Sequence, residues 1–60
     1  MDPEVTLTEA RQLLHEGKPH SALESLSDYA LWRIHGGFQP KDGDTRAAAL
    51  FHSLLQVSRP

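Results

Sequence analysis

The sequence contains no cysteine, so neither a disulfide nor a thiolate metal site can stabilise the chain. A chain of 60 residues buries only about 60% of the surface that its unfolded form exposes, and its stability is marginal. The remaining means of stabilisation are an idealised helical core, self-association, or folding on a partner.

Long apolar runs and clustered positive charge are also missing. The longest apolar runs, residues 47–51 and 29–32, are too short to span a bilayer. The segment MDPEVTLTEA lacks the basic and apolar regions of a signal peptide. The six Lys and Arg residues are scattered and the net charge is -2, whereas nucleic-acid binders cluster positive charge on one face. We therefore expect a soluble cytoplasmic protein with no membrane or nucleic-acid partner.

The segment LLHEGKPHSAL contains the residue types of a zinc hydrolase at a different spacing. The motif H-E-x-x-H needs its histidines at positions i and i+4 of one unbroken helix. His15 and His20 stand at i and i+5, which turns the second about 140° away from the first. Gly17 and Pro19 also interrupt any helix between them. We therefore expect a bend between two helices here and no metal site.

The segment KDGDTRAAA begins like a calcium-binding loop, but it lacks the required ligands. With Asp42 as position one, the sixth position is Ala47 instead of Gly and the twelfth is Ser53 instead of Glu. The phosphate-binding pattern G-x-x-x-x-G-K-[ST] and the nucleophile pattern G-x-S-x-G are both missing. We therefore expect no cofactor, no small-molecule substrate and no enzymatic activity.

Breaks in the apolar periodicity divide the chain into three helices. The helices are predicted at about residues 7–16, 19–35 and 45–57, with a Gly- and Pro-rich loop at residues 36–44. The first helix is predicted to begin at a Thr6–Glu9 capping box and to end at Gly17. The second is predicted to begin at Pro19, with a possible capping box at Ser21–Glu24. The N-cap of the third is predicted at Asp44 or Thr45. Short connections favour antiparallel neighbours. The predicted fold is all-α, an antiparallel α-hairpin with a third amphipathic helix packed across it.

The apolar stripes predict which side of each helix is buried. On the second helix the predicted buried face contains Ala22, Leu23, Leu26, Ala30 and Ile34. On the third helix the predicted apolar side contains Ala47, Ala48, Leu50, Phe51, Leu54, Leu55 and Val57. The third stripe either completes an ordinary core or also supports self-association, which is most often two-fold.

The segment ARQLLHEGKPHSALESLSDYAL, about a third of the chain, resembles one helical hairpin of a tetratricopeptide repeat. Gly17 and Ala22 match the family's spacing between the Gly that ends helix A and a small residue of helix B. Leu23 and Ala30 fall where the family has apolar and small residues. The chain departs from the family at Pro19, where an aromatic is usual, and contains no second repeat. The resemblance implies a shared hairpin geometry and binding of a peptide or protein.

Two aromatic residues of the second helix lie outside the predicted buried face. Trp32 is roughly opposite that face, and Tyr29 precedes it by about one turn. Either the two form an exposed patch, or Trp32 covers Phe38 and Pro40 while Phe38 folds back over the core. Tyr and Trp are frequent hot spots at interfaces. The predicted partner-binding residues are Tyr29, Trp32, Phe38, Gln39 and Lys41.

These patterns favour a small non-enzymatic interaction protein, an adaptor or inhibitor-like regulator that binds a protein partner, itself, or both. Its size would suit a bacterial or phage accessory protein. The alternative is a DNA-binding helix-turn-helix regulator, which the short turn after the first helix permits. Against it, Glu24 and Asp28 would face phosphates from the recognition helix. A purely structural homo-oligomer is a third interpretation.

Overall fold

The computed structural model describes residues 1–57, which form three α-helices and no strand. Helix α1 spans Pro3–His15, α2 spans Pro19–Ile34 and α3 spans Gly43–Val57. The predicted all-α fold of three helices is therefore confirmed. Within the described part of the chain, no helix combines the length and the apolar character needed to cross a membrane.

Helix α1 begins earlier than predicted, because Asp2 caps it. The Asp2 carboxylate accepts hydrogen bonds from the backbone N–H groups of Glu4, at 3.0 Å, and Val5, at 3.4 Å. Pro3 occupies the first turn, where its fixed φ and missing N–H are tolerated. Thr6 lies inside the helix, and its hydroxyl donates to the Asp2 carbonyl at 3.1 Å. The predicted capping box at Thr6 is therefore wrong.

The turn between α1 and α2 follows the predicted glycine mechanism. Gly17 has a φ of +78°, in the left-handed region that a residue without a Cβ adopts most easily. The backbone N–H groups of Gly17 and Lys18 donate to carbonyls of the last α1 turn, at 3.2 and 2.9 Å. Helix α2 then begins at Pro19, as predicted. Ser21 already lies inside α2, so the predicted capping box at this position is wrong.

The first turn of α3 is capped by a side chain of the preceding loop, and not by the residues predicted for that role. Helix α3 begins at Gly43, after Asp42, which has a φ of +54°. The Asp44 backbone N–H donates to the side-chain oxygen of Gln39 at 3.0 Å. Gln39 therefore satisfies a free N–H of the first turn, a role predicted for Asp44 or Thr45.

The core lies between all three helices. Helices α1 and α2 make the most extensive contact, as predicted for a hairpin, and α3 packs against both. The buried apolar residues of this core are Leu7, Ala10, Ala22, Leu26, Tyr29, Ala47 and Leu54. Half-buried side chains at its edge are Leu13, Leu14, Leu50 and Phe51.

Helix α2 buries a different face from the predicted one. Ala22 and Leu26 are fully buried as expected, but the third buried residue is Tyr29, at 2% exposure. Leu23 and Ile34, predicted as core residues, are 43% and 76% exposed. At 100° per residue, the buried face is turned by roughly 60° from the prediction. This rotation leaves the aliphatic side of α2 facing away from the core.

Helix α3 buries only part of its predicted apolar side. Ala47 and Leu54 belong to the core, whereas Leu55 and Val57 are 67% and 55% exposed. Ala48 is exposed as well. Two neighbouring helices cover only a limited arc of α3, so the broad stripe extends beyond the core.

Candidate functional site

The predicted aromatic patch does not form, because Tyr29 is buried. The Tyr29 hydroxyl donates to Asp44 Oδ1 at 2.8 Å. Trp32 is half-buried, and its Nε1–H donates to the Phe38 carbonyl at 2.8 Å. The Trp32 and Phe38 rings meet edge to face, with centroids 5.7 Å apart. The structure therefore adopts the alternative in which Trp32 covers the loop at Phe38.

The other predicted binding residues have separate positions. Phe38 remains 66% exposed and does not fold over the core, so that prediction is wrong. Gln39 serves as the cap of α3. Lys41 is exposed, and its carbonyl accepts a weak hydrogen bond of 3.4 Å from Arg46. The structure thus joins Trp32 with Phe38, while partner binding by this set stays a prediction.

A hydrogen-bonded clamp fixes the end of α2 to the start of α3. Arg33 donates through Nε and Nη2 to the two carboxylate oxygens of Asp44, at 2.8 and 2.9 Å. Its Nη1 donates to the Gly37 carbonyl at 2.7 Å. The hydrogen bonds from Arg33 and Tyr29 lower the pKa of Asp44. Burial, followed by the bond to Asp44, raises the pKa of Tyr29. This clamp sets α2 and α3 side by side with a defined orientation.

An apolar surface, here named the α2–α3 face, lies outside this clamp. From α2 it contains Leu23, Leu31 and Ile34, which are 43%, 53% and 76% exposed. From α3 it contains Phe51 and the 67% exposed Leu55. Leu23, Phe51 and Leu55 line the same open groove of about 360 Å³ near the start of α2. Side chains of both helices therefore share this groove, and Leu31 and Ile34 continue the exposed aliphatic side of α2 away from it.

The centre of the α2–α3 face is lined by small side chains. His20, Leu23, Ser27, Ala30 and Ile34 alternate in steps of three and four residues along α2. This is the spacing of a seam against which another helix packs. Ser27 is exposed and Ala30 is half-buried, between larger aliphatic residues at both ends. The small side chains therefore leave a shallow depression in the middle of the seam.

One edge of the α2–α3 face is acidic. Glu24 and Asp28, one turn apart on α2, are both exposed. The Glu24 carboxylate lies 3.7 Å from the His20 imidazole and is 70% exposed. Within residues 1–57, Asp28 has no hydrogen bond or ion pair through its side chain. The face therefore combines an apolar seam with carboxylates that have little or no charge compensation.

Other grooves lie along α1 and have charged side chains in their lining. A groove of about 680 Å³ between α1 and α3 is lined by Arg11, Gln12 and His15 over the leucines Leu14 and Leu50. A second groove along α1 has three glutamates around Val5 and Leu13. In the described residues, no three His, Cys, Asp or Glu side chains converge as metal ligands.

Comparisons with known proteins give no relative for this chain. No protein-family model matches it, and neither does a curated protein or a solved structure. The resemblance to a tetratricopeptide hairpin therefore extends only to the residue spacing and to the helical pair α1 and α2 joined at Gly17.

The residues of the α2–α3 face were missed as binding candidates because periodicity assigned Leu23 and Ile34 to the core. The alternation of three and four residues along α2 was the available signal for a second seam. The position of Leu55 carried no such signal, because its stripe on α3 also includes the buried Leu54.

Proposed function

We propose that this chain is a non-enzymatic protein–protein interaction module that binds a partner through the α2–α3 face, as an adaptor or inhibitor-like regulator. The observation that carries the proposal is the exposure of Leu23, Leu31 and Ile34 along one side of α2, together with the exposed Leu55 of α3, which lines the same groove as Leu23. Single exposed aliphatic residues are normal, whereas a contiguous group marks an interaction site.

The energetics of the α2–α3 face support binding. Full burial of an aliphatic side chain contributes about 1.5–3 kcal/mol relative to exposure. Ile34 and Leu55 retain most of that gain for a partner, since they are 76% and 67% exposed. The Arg33–Asp44 clamp orders the two helices beforehand, which lowers the entropic cost of association.

The dimensions of the molecule also fit a specific interface. The chain measures 35 × 17 × 16 Å. A stable interface buries roughly 800 Å² on each partner. A partner of this kind would therefore cover most of one long side of the molecule, which agrees with a surface that runs along two helices.

A helix-turn-helix function has less support from the same surface. The exposed edge of α2 carries Glu24 and Asp28, which would repel phosphates. Two of the arginines, Arg33 and Arg46, are paired with Asp44 and Glu4. We therefore rank DNA binding below protein binding.

Selection from a displayed library of helical and unstructured peptides tests the proposal without knowledge of the natural partner. We expect selected peptides to bind the wild type and to lose affinity for the double variant Leu31→Gln with Ile34→Gln. The matched control is Val5→Gln with Val57→Gln, since both valines are 55% exposed and lie outside the α2–α3 face. Glutamine is uncharged and compatible with helices. Peptides that bind the two double variants equally would refute the proposed site.

A further inference from the structure

We propose that the partner segment is an amphipathic α-helix with basic residues beside its apolar stripe. This inference rests on the proposed function of the α2–α3 face and adds the conformation and charge of its ligand. It follows from the shape of the seam, the distribution of charge along its edge, and the unfavourable geometry of self-pairing.

The shape of the α2–α3 face favours a helix over an extended peptide. The backbone groups inside α2 and α3 are used in helical hydrogen bonds, and residues 1–57 offer no sheet edge on which a strand could extend. Ser27 and Ala30 are small and lie between Leu23 and Ile34, so they leave a shallow depression into which the side chains of a crossing helix can pack. At 1.5 Å per residue, the distance from Leu23 to Ile34 is about 16 Å, or three turns of a partner helix.

The charge of the edge favours a basic ligand. Glu24 and Asp28 are spaced one turn apart, and within the described residues the one basic side chain within 4.0 Å of either carboxylate is the exposed His20 imidazole, at 3.7 Å from Glu24. Lys or Arg residues one turn apart on a partner helix would face both carboxylates while its apolar stripe covers Leu31 and Ile34. An acidic ligand would meet repulsion at the same edge.

A second copy of this chain fits the same edge poorly. An antiparallel pair of α2 helices centred on Ser27 would oppose Leu23 of each copy to Leu31 of the other, with favourable helix dipoles. The same arrangement brings Glu24 and Asp28 of the two copies together. Like charges across an interface cost affinity. The occupant favoured by the charge pattern is therefore a different, basic helix.

Two synthetic amphipathic peptides of about 18 residues, or five helical turns, provide the probes. They share one apolar stripe and differ only in the flanking residues, which are Lys in one peptide and Glu in the other. Isothermal titration of the full chain should give about tenfold tighter binding of the Lys peptide, since each exposed ion pair contributes a few-fold change in affinity. The preference should shrink as salt is added.

Two charge-removing double variants locate the effect. Glu24→Gln with Asp28→Asn should abolish most of the preference for the Lys peptide. Glu9→Gln with Asp42→Asn removes the same charge outside the α2–α3 face and should preserve it. Circular dichroism of both variants checks that the helices remain. Equal binding of the two peptides by the wild type, or loss of preference in both variants, would overturn the inference.

Two further outcomes separate this inference from the proposed function. If neither peptide binds, but library-selected peptides remain sensitive to Leu31→Gln with Ile34→Gln, the site stands and the basic helix is refuted. If sedimentation shows a dimer that this double variant dissociates, the face is an interface between copies, which also refutes the basic helix. If the peptides bind this double variant as tightly as the wild type, both proposals fail.

Discussion

Alanine substitutions along α2 can establish which of its faces is the core. Leu23 and Leu26 are three positions apart on the same helix, so a Leu→Ala substitution removes the same atoms at both positions and only the surroundings differ. Leu26 is fully buried, Leu23 is 43% exposed, and Ile34 is 76% exposed. The sequence pattern placed all three in the core, whereas the structure places only Leu26 there. The three substitutions therefore have different expected effects.

The magnitudes follow from these exposures. Leu26→Ala should lower the free energy of unfolding by about 2–5 kcal/mol, the usual loss for a buried Leu in a close-packed core. Leu23→Ala should cost about 1 kcal/mol, since the side chain is only just over half buried and Ala slightly favours a helix. Ile34→Ala should change stability by less than about 0.5 kcal/mol for the same reasons. A domain of this size has a total free energy of unfolding of roughly 3–9 kcal/mol, so Leu26→Ala removes a large part of it.

Urea denaturation followed by circular dichroism measures these differences, with unchanged slopes as the check on two-state behaviour. The series should be repeated at two protein concentrations. A concentration-independent loss for Leu23→Ala equal to that for Leu26→Ala would refute the assigned core face. Equal losses that appear only at high concentration would show instead that Leu23 becomes buried by self-association.

Two further predictions concern the loop and the clamp. A Cβ at Gly37 would overlap the indole of Trp32. Gly37→Ala should therefore lower the free energy of unfolding by about 1–3 kcal/mol and shift the tryptophan emission to the red. Unchanged emission in urea-free buffer would contradict this packing. The pKa of Asp44 is lowered from 3.8, chiefly by Arg33, so its stabilising effect should be present above that value and lost as pH falls through the lower folded-state pKa. Thermal melts should therefore show Asp44→Asn less stable than wild type at neutral pH, with a gap that narrows in acid; a constant gap would exclude this linkage.

Local sequence signals were reliable where one residue type meets a specific backbone requirement. Gly17 was predicted to end the first helix and has the expected positive φ, and Pro19 begins the second helix as predicted. Capping boxes were less reliable, because Ser, Thr and Asp also fit inside a first turn. At the start of α1, Asp2 accepts the free N–H groups four residues before the predicted cap at Thr6.

The candidate binding site was predicted poorly, although its helix was predicted well. Trp32 was correctly considered as a cover for Phe38, but Tyr29 was assigned to a surface patch. A tyrosine can be buried when its hydroxyl finds a partner, and that partner, Asp44, lies 15 positions further along the chain. No local pattern contains that pairing, so the exposed role of Ile34 was missed as well.

The sequence by itself determined three helices, because Gly and Pro interrupt the chain and apolar residues recur at helical spacing between them. It did not determine which side of α2 faces inward, since apolar residues occur on most sides of that helix. Tertiary structure made that choice: with Tyr29 bonded to Asp44 and Arg33 clamped beside it, the buried face is fixed. Leu31 and Ile34 are then left exposed, because a helix that buries one face among two neighbours must turn the opposite face to solvent.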